Sequence, residues 1–189
     1  MGRGAEGSGS PLSDKSAPVQ DAPGVPALPM PDSLKQTFDF HSQFNVDVLA
    51  SPAMPAPARS ALRVNLLQEE LNELKEAIAS NDLVEVADAL ADIQYVLSGT
   101  ALEFGMGACY KELVDEVHRS NMSKAAKTEQ EAQETVEHYR NKDGTEAYYE
   151  RQPDGTFNIY RRSDKKTLKS VRYSRADIRS IVNRHGGPC

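Results

Sequence analysis

The chain contains 189 residues, of which 39% are hydrophobic and 26% charged, and its formal net charge is −6. This composition is typical of a globular protein in water, and no apolar run approaches the roughly 20 residues that a membrane span requires. The chain has no signal-peptide pattern at its start, and its two cysteines give no disulfide framework. We therefore expect a cytoplasmic protein without a membrane partner.

Composition divides the chain into three segments. Residues 1–31 are rich in Gly, Ser, Pro and Ala, cannot bury a core and are predicted to form a disordered tail. Residues 32–127 carry helical periodicity, and residues 128–189 form a basic C-terminal extension. The first 138 residues contain 22 Asp or Glu against 10 Lys or Arg, whereas residues 139–189 contain 6 against 12. The basic extension is either a solvated surface, a segment that docks on the acidic core, or a site for a polyanion such as a nucleotide.

Apolar periodicity and capping residues predict a short helix after Asp32 and longer helices over residues 58–79, 83–104 and 110–124. The proline-rich residues 51–57 form a loop between the first two. Asn81 or Asp82 caps the third helix, and Gly105 ends it. Ala87, Leu90 and Ala91 of the third helix are interpreted as core.

The extension has a different pattern. Residues 129–139 are polar and compatible with a helix, and residues 176–182 with one or two helical turns. The Asp154-Gly155 turn signal lies between Tyr148-Tyr149 and the apolar run over residues 157–160, which predicts a β-hairpin.

Two sets of carboxylates lie on the second and third helices: Glu69, Glu70 and Glu73, then Glu85, Asp88 and Asp92. Positions three or four apart share a helix face, so Glu70 and Glu73 point the same way, as do Glu85 and Asp88. If the break between the helices folds one beside the other, these four carboxylates converge. Such concentrated negative charge is unfavourable unless cations neutralise it, and oxygen ligands suit Mg²⁺, or Mn²⁺ in its place, better than zinc.

The pattern Glu69-Glu70-Leu71-Asn72-Glu73 followed by Glu85-Val86-Ala87-Asp88 resembles the EExxE…ExxD signature of the all-α nucleoside triphosphate pyrophosphohydrolases. That superfamily includes MazG, the dimeric dUTPases and the phosphoribosyl-ATP pyrophosphohydrolases. Residues 88–105 and 117–124 are most similar to its MazG-like, phosphoribosyl-ATP pyrophosphohydrolase-like branch, with a faint similarity at Tyr173-Ser174. The predicted fold class is therefore all-α. We expect a four- to five-helix bundle that forms a homodimer or homotetramer, with a disordered N-terminal tail and a small β-hairpin in the C-terminal extension.

The resemblance implies hydrolysis of a (d)NTP between its α and β phosphates to (d)NMP and pyrophosphate, as in the removal of unwanted nucleotides. It implies Mg²⁺ ligands at Glu70, Glu73, Glu85 and Asp88, while Glu69 would hold a further metal ion or orient the attacking water. The remaining substrate-binding candidates are Asn121, Lys124, Asp92 and Tyr95.

Asn121 and Lys124 match phosphate-contacting positions, and Tyr95 either stacks on a base or packs in the core. Arg119 is a weaker phosphate-binding candidate. A structural or surface role is expected for His118, because no second histidine lies at the spacing that a metal site would need. No stable binding of nucleic acid is expected.

Two other functions fit the same residues. Hydrolysis of phosphoribosyl-ATP would use the same metal site and differ only in substrate. A non-catalytic helical dimerisation module would carry solvated carboxylates and bind a partner through its basic extension.

Overall fold

Six helices and one β-hairpin make up the part of the chain that the computed structural model describes, residues 31–188. The predicted tail lies outside this part except for Pro31. The helices are α1 (Ser33–Gln43), α2 (Pro57–Ser80), α3 (Leu83–Glu103), α4 (Tyr110–Met122), α5 (Glu129–Asp143) and α6 (Ile178–Arg184), and the strands are β1 (Ala147–Arg151) and β2 (Phe157–Arg161). The prediction of a helical fold with a hairpin near its C-terminal end is confirmed.

The turn between α2 and α3 explains why these helices lie side by side. Asn81 has a left-handed backbone (φ 55°), which ends α2 and reverses the chain. The Asp82 carboxylate accepts hydrogen bonds from the backbone N–H groups of Val84 (3.0 Å) and Glu85 (3.2 Å), and so caps α3. The break predicted from the sequence therefore makes a helical hairpin, and α1 packs against its α3 arm.

Much of the apolar surface of this helical hairpin is exposed in the single chain. Leu90 is 53% exposed, Val84 is 75% exposed and Ile78 of α2 is 62% exposed. The prediction that Ala87, Leu90 and Ala91 lie in the core is wrong for the single chain, because all three are exposed. Their helical spacing marks an apolar face correctly, but no other element of residues 31–188 covers that face.

The extension has a small core of its own. In the antiparallel hairpin Tyr149 pairs with Ile159, and the inward face of the hairpin packs on α5. The fully buried members of this core are Ala126, Ala132 and Ile159, with Phe157 and Leu168 nearly buried. Thr128 caps α5 and Gly144 (φ 75°) ends it, so α5 is four residues longer than the predicted segment 129–139.

The end of the chain returns to α4. Ile181 of α6 is buried against Cys109 and Leu113, at the start of α4. Asp177 accepts a hydrogen bond from the Ser180 N–H and caps α6, which places this helix slightly later than predicted. Within residues 31–188, none of the helices has the length and apolar character needed to cross a membrane.

Candidate functional site

Carboxylates from α2 and α3 face one another across the helical hairpin. Glu70 of α2 is half-buried, whereas Asp88 and Asp92 of α3 are exposed beside it. Partial burial is the main cause that raises the pKa of Glu70. Repulsion by carboxylates of both helices raises it further, in decreasing order from Glu73, Asp92, Glu69 and Asp88. The fold thus brings four of the other five predicted carboxylates within electrostatic reach of Glu70.

Glu85 is the predicted carboxylate that the structure does not place in this group. It is exposed in the first turn of α3, and its backbone N–H is bonded to Asp82. Among residues 31–188, no three Asp, Glu, His or Cys side chains are arranged to hold a metal ion. In the single chain the carboxylates around Glu70 are therefore not placed to share one cation. Their mutual repulsion and their oxygen-only chemistry fit Mg²⁺ or Mn²⁺.

A buried ionic network fixes the other end of the same helical hairpin. The Glu103 carboxylate, 2% exposed, accepts hydrogen bonds from Arg59 at 3.0 and 2.8 Å and from Arg63 at 3.4 Å. Arg63 also donates to the Thr100 hydroxyl at 3.1 Å. This network ties α2 to α3, and so sets how the carboxylates of the two helices face each other. The sequence reasoning missed it, although a charged Glu103 within an apolar helix end was a usable signal.

Close packing against α1 reinforces this end. A Cβ atom at Gly99 would lie 2.8 Å from the Arg63 guanidinium and 2.9 Å from the His41 ring, so the missing side chain of Gly99 makes room for these two side chains against α3. Burial lowers the pKa of His41, a residue that is only 2% exposed, and so favours the neutral imidazole.

Tyr95 lies one helical turn beyond Asp92 and contacts aromatic side chains of α1. Its ring meets Phe40 edge-on at a centroid distance of 5.8 Å, and Phe40 meets Phe44 at 4.4 Å. Tyr95 is half-buried, whereas Phe40 and Phe44 are exposed. These three rings thus form a partly exposed aromatic cluster, in which the exposed rings are Phe40 and Phe44.

The predicted phosphate-binding residues lie at the end of α4. Asn121 is exposed and Lys124 is half-buried just past the helix end. Within the described part of the chain, α4 packs mainly against α6 and makes no extensive contact with α2 or α3. The structure therefore does not join Asn121 and Lys124 to the acidic residues by helix packing in a single chain.

Arg119 is already engaged by protein groups. Its guanidinium forms a two-pronged ion pair with Glu116, with both distances 2.7 Å, and also donates to the Ser174 hydroxyl and the Arg175 carbonyl. These bonds anchor the extension to α4, which gives Arg119 a structural role. His118 is exposed beside it.

Comparison with known proteins gives a family match within the helical region of the chain. Residues 38–121 match the family model described as phosphoribosyl-ATP pyrophosphohydrolase. The chain is also similar to the uncharacterized protein L479 of Acanthamoeba polyphaga mimivirus, with 25% identity in an alignment 199 positions long that covers 60% of this chain and 79% of that protein. The family match includes α2, α3, nearly all of α4 and most of α1, and ends before the extension.

Proposed function

We propose, from the membership of residues 38–121 in the MazG-like all-α NTP pyrophosphohydrolase superfamily, that this protein is a Mg²⁺-dependent nucleoside triphosphate pyrophosphohydrolase. The substrate would be a (d)NTP, cleaved between its α and β phosphates. The observation that supports this proposal most is the opposition of Glu70 on α2 to Asp88 and Asp92 on α3. Carboxylates that repel one another across two helices are stabilised by a divalent cation, which a triphosphate substrate also requires.

In this proposal Glu70, Glu73 and Asp88 would hold the metal, and Mn²⁺ could replace Mg²⁺. Glu85 is the fourth proposed ligand, although in the single chain it lies apart from the group around Glu70. A divalent cation bound there offsets the negative charge of the phosphates and makes water a better nucleophile. Asp92 lies on the same face of α3 and would orient the ligands or the substrate.

Glu69 would orient the attacking water and accept its proton. The water oxygen bonds to the α phosphorus, the bond from that phosphorus to the bridging oxygen breaks, and pyrophosphate leaves with the electron pair. Asn121 and Lys124 would bind the phosphates, since a lysine supplies a positive charge and an asparagine a neutral donor. Tyr95, with Phe40 and Phe44 beside it, offers rings against which a base can stack.

We also propose that the protein forms at least a homodimer. Apolar residues of α2 and α3 are exposed in the single chain, and so are Val114, Val117 and Met122 of α4. An apolar surface of this kind is typical of an interface. A second copy that covered α2 and α3 could also bring its own α4 end, with Asn121 and Lys124, toward the carboxylates. A cytoplasmic location, where nucleoside triphosphates are formed and used, is part of the same proposal.

Phosphoribosyl-ATP is the second candidate substrate, because the matching family model carries that name. It would be cleaved at the same kind of bond by the same residues. A non-catalytic helical module is the third candidate, and it predicts neither hydrolysis nor an effect of Mg²⁺ on stability.

The test is pyrophosphate release from canonical and modified (d)NTPs and from phosphoribosyl-ATP, each with Mg²⁺ and with EDTA. Metal-dependent release with the nucleoside monophosphate as the second product is the expected result, and the ranking of substrates separates the first two candidates. No turnover of any substrate, together with no Mg²⁺-induced shift in melting temperature, would contradict the proposal and favour the non-catalytic module.

A further inference from the structure

The segment over residues 169–175, in the C-terminal extension, lies against the end of α4. The Ser170 N–H donates to the Lys124 carbonyl at 3.1 Å, and the Ser174 N–H donates to the Ser123 hydroxyl at 3.0 Å. Between these contacts the Tyr173 hydroxyl lies 2.8 Å from the Ser120 hydroxyl. The extension is therefore docked on the same helix end that carries the predicted phosphate-binding residues.

Positively charged side chains lie near the Tyr173 side chain. The Lys169 ammonium lies 4.5 Å from the centre of the Tyr173 ring. The hydrogen bond with Ser120 is the main cause that lowers the pKa of Tyr173. The positive charges of Lys169, Lys124 and Arg175 lower it further, in that order.

These cations are not neutralised by nearby carboxylates. Within residues 31–188, Lys124, Lys169 and Arg175 form no ion pair with an Asp or Glu at 4.0 Å or less. Lys169 and Tyr173 also line a cleft of about 350 Å³ between α5 and this segment, and its lining includes Lys142 and no carboxylate. Uncompensated cations around a cleft attract a polyanion.

We infer that Lys169 and Tyr173 of the extension bind phosphate oxygens of the substrate together with Lys124, so that the extension completes the phosphate-binding end of α4. This inference rests on the proposed function and deepens it. Ammonium groups and a tyrosine hydroxyl supply charged and neutral donors to different oxygens of one anion. Two ammonium groups and a hydroxyl suit an anion with several charged oxygens, so the ligand class is a triphosphate or a pyrophosphate.

A purely structural role for Lys169 predicts something different. In that case its contact with the Tyr173 ring holds the extension in place, and its loss lowers stability without changing affinity for phosphates. Lys169→Met separates the two roles, because methionine keeps most of the apolar stem and removes the charge. Lys166→Met is the matched control, since Lys166 is an exposed lysine of the same extension and makes no ion pair within residues 31–188.

The experiment measures calorimetric binding of inorganic pyrophosphate with Mg²⁺, and the KM and kcat for the best nucleotide substrate, in the full chain and both variants. We expect Lys169→Met to weaken pyrophosphate binding by about tenfold and to raise KM with little change in melting temperature, because the variant loses one charged donor to the phosphate oxygens. Lys166→Met should change either value by less than about twofold.

Hydrolysis by the unchanged chain with equal pyrophosphate affinity in both variants would overturn this inference and leave the proposed function intact. A Lys169→Met variant that melts several degrees lower but binds pyrophosphate normally would also overturn it, in favour of the structural role. Pyrophosphate binding that depends on Lys169 in a chain that hydrolyses no nucleotide would support the phosphate site and contradict the proposed function.

Discussion

The hydroxyl groups of Ser120 and Tyr173 lie 2.8 Å apart and join α4 to the C-terminal extension. Ser120 is 3% exposed, so its hydrogen bond is shielded from water. Ser120→Ala removes the main cause that lowers the pKa of Tyr173, and we expect that pKa to rise toward its usual value. The loss of this hydrogen bond should also lower the free energy of unfolding by about 1 kcal/mol.

The titration of Tyr173 can be followed by NMR of labelled tyrosine, with unfolding measured in denaturant. Ser42→Ala is the control, because Ser42 is exposed and its hydroxyl bonds only to the Phe38 carbonyl of its own helix. An unchanged Tyr173 titration in the Ser120→Ala variant would show that the two side chains do not interact in solution.

The carboxylate of Glu103 is the centre of the buried network between α2 and α3. Glu103→Ala leaves the Arg63 guanidinium, whose side chain is 8% exposed, without its counter-charge. We expect a loss of about 3 kcal/mol in the free energy of unfolding, since removal of one partner from a buried ion pair leaves an uncompensated charge. Glu76→Ala, on the exposed face of α2, should change stability by less than about 0.5 kcal/mol. Equal effects of the two substitutions would show that the network does not hold the helices together.

The ion pair between Glu116 and Arg119 predicts a specific loss of stability in acid. The hydrogen bond from Arg119, followed by the backbone N–H of Asp177, lowers the pKa of Glu116 to about 2. Since the pKa in the folded state is below the unfolded value of about 4.3, this group stabilises the fold fully above that value. The contribution is lost as the pH falls from there toward 2.

Melting temperatures between pH 6 and pH 2.5 should therefore fall less steeply for Glu116→Gln than for the unchanged chain. Asp115→Asn, at a neighbouring exposed position of α4, provides the comparison. Identical slopes for the Glu116→Gln variant and the unchanged chain would rule out a linked protonation of Glu116.

Local signals in the sequence were enough to predict the helical hairpin. Asp82 is a standard capping residue, and the pair of helices that it separates follows from apolar spacing alone. The apolar character of Leu90 was also recognised correctly, but its exposure was not. Periodicity records that a face is apolar and cannot tell whether the same chain or a second copy covers it.

Contacts between residues far apart in the sequence could not be predicted from local patterns. Arg59 and Glu103 are 44 positions apart, and Ser120 and Tyr173 are 53 apart. Nothing in the local pattern of either partner predicts the other. For the same reason Lys169 was treated as part of a generally basic extension, and only the docking of that extension on α4 brings it close to Tyr173.

The steady-state rate of pyrophosphate release with Mg²⁺ and the best nucleotide, compared among the unchanged chain, Glu73→Gln and Glu76→Gln, is the most direct test of the proposed reaction. Glu73 and Glu76 lie on the same helix, are both exposed and lose the same charge, but only Glu73 acts on Glu70. We predict that Glu73→Gln lowers the rate by about 100-fold or more, because it removes a proposed metal ligand, and that Glu76→Gln leaves it within about twofold. Full activity of the Glu73→Gln variant would contradict the assignment of these carboxylates to metal-dependent hydrolysis.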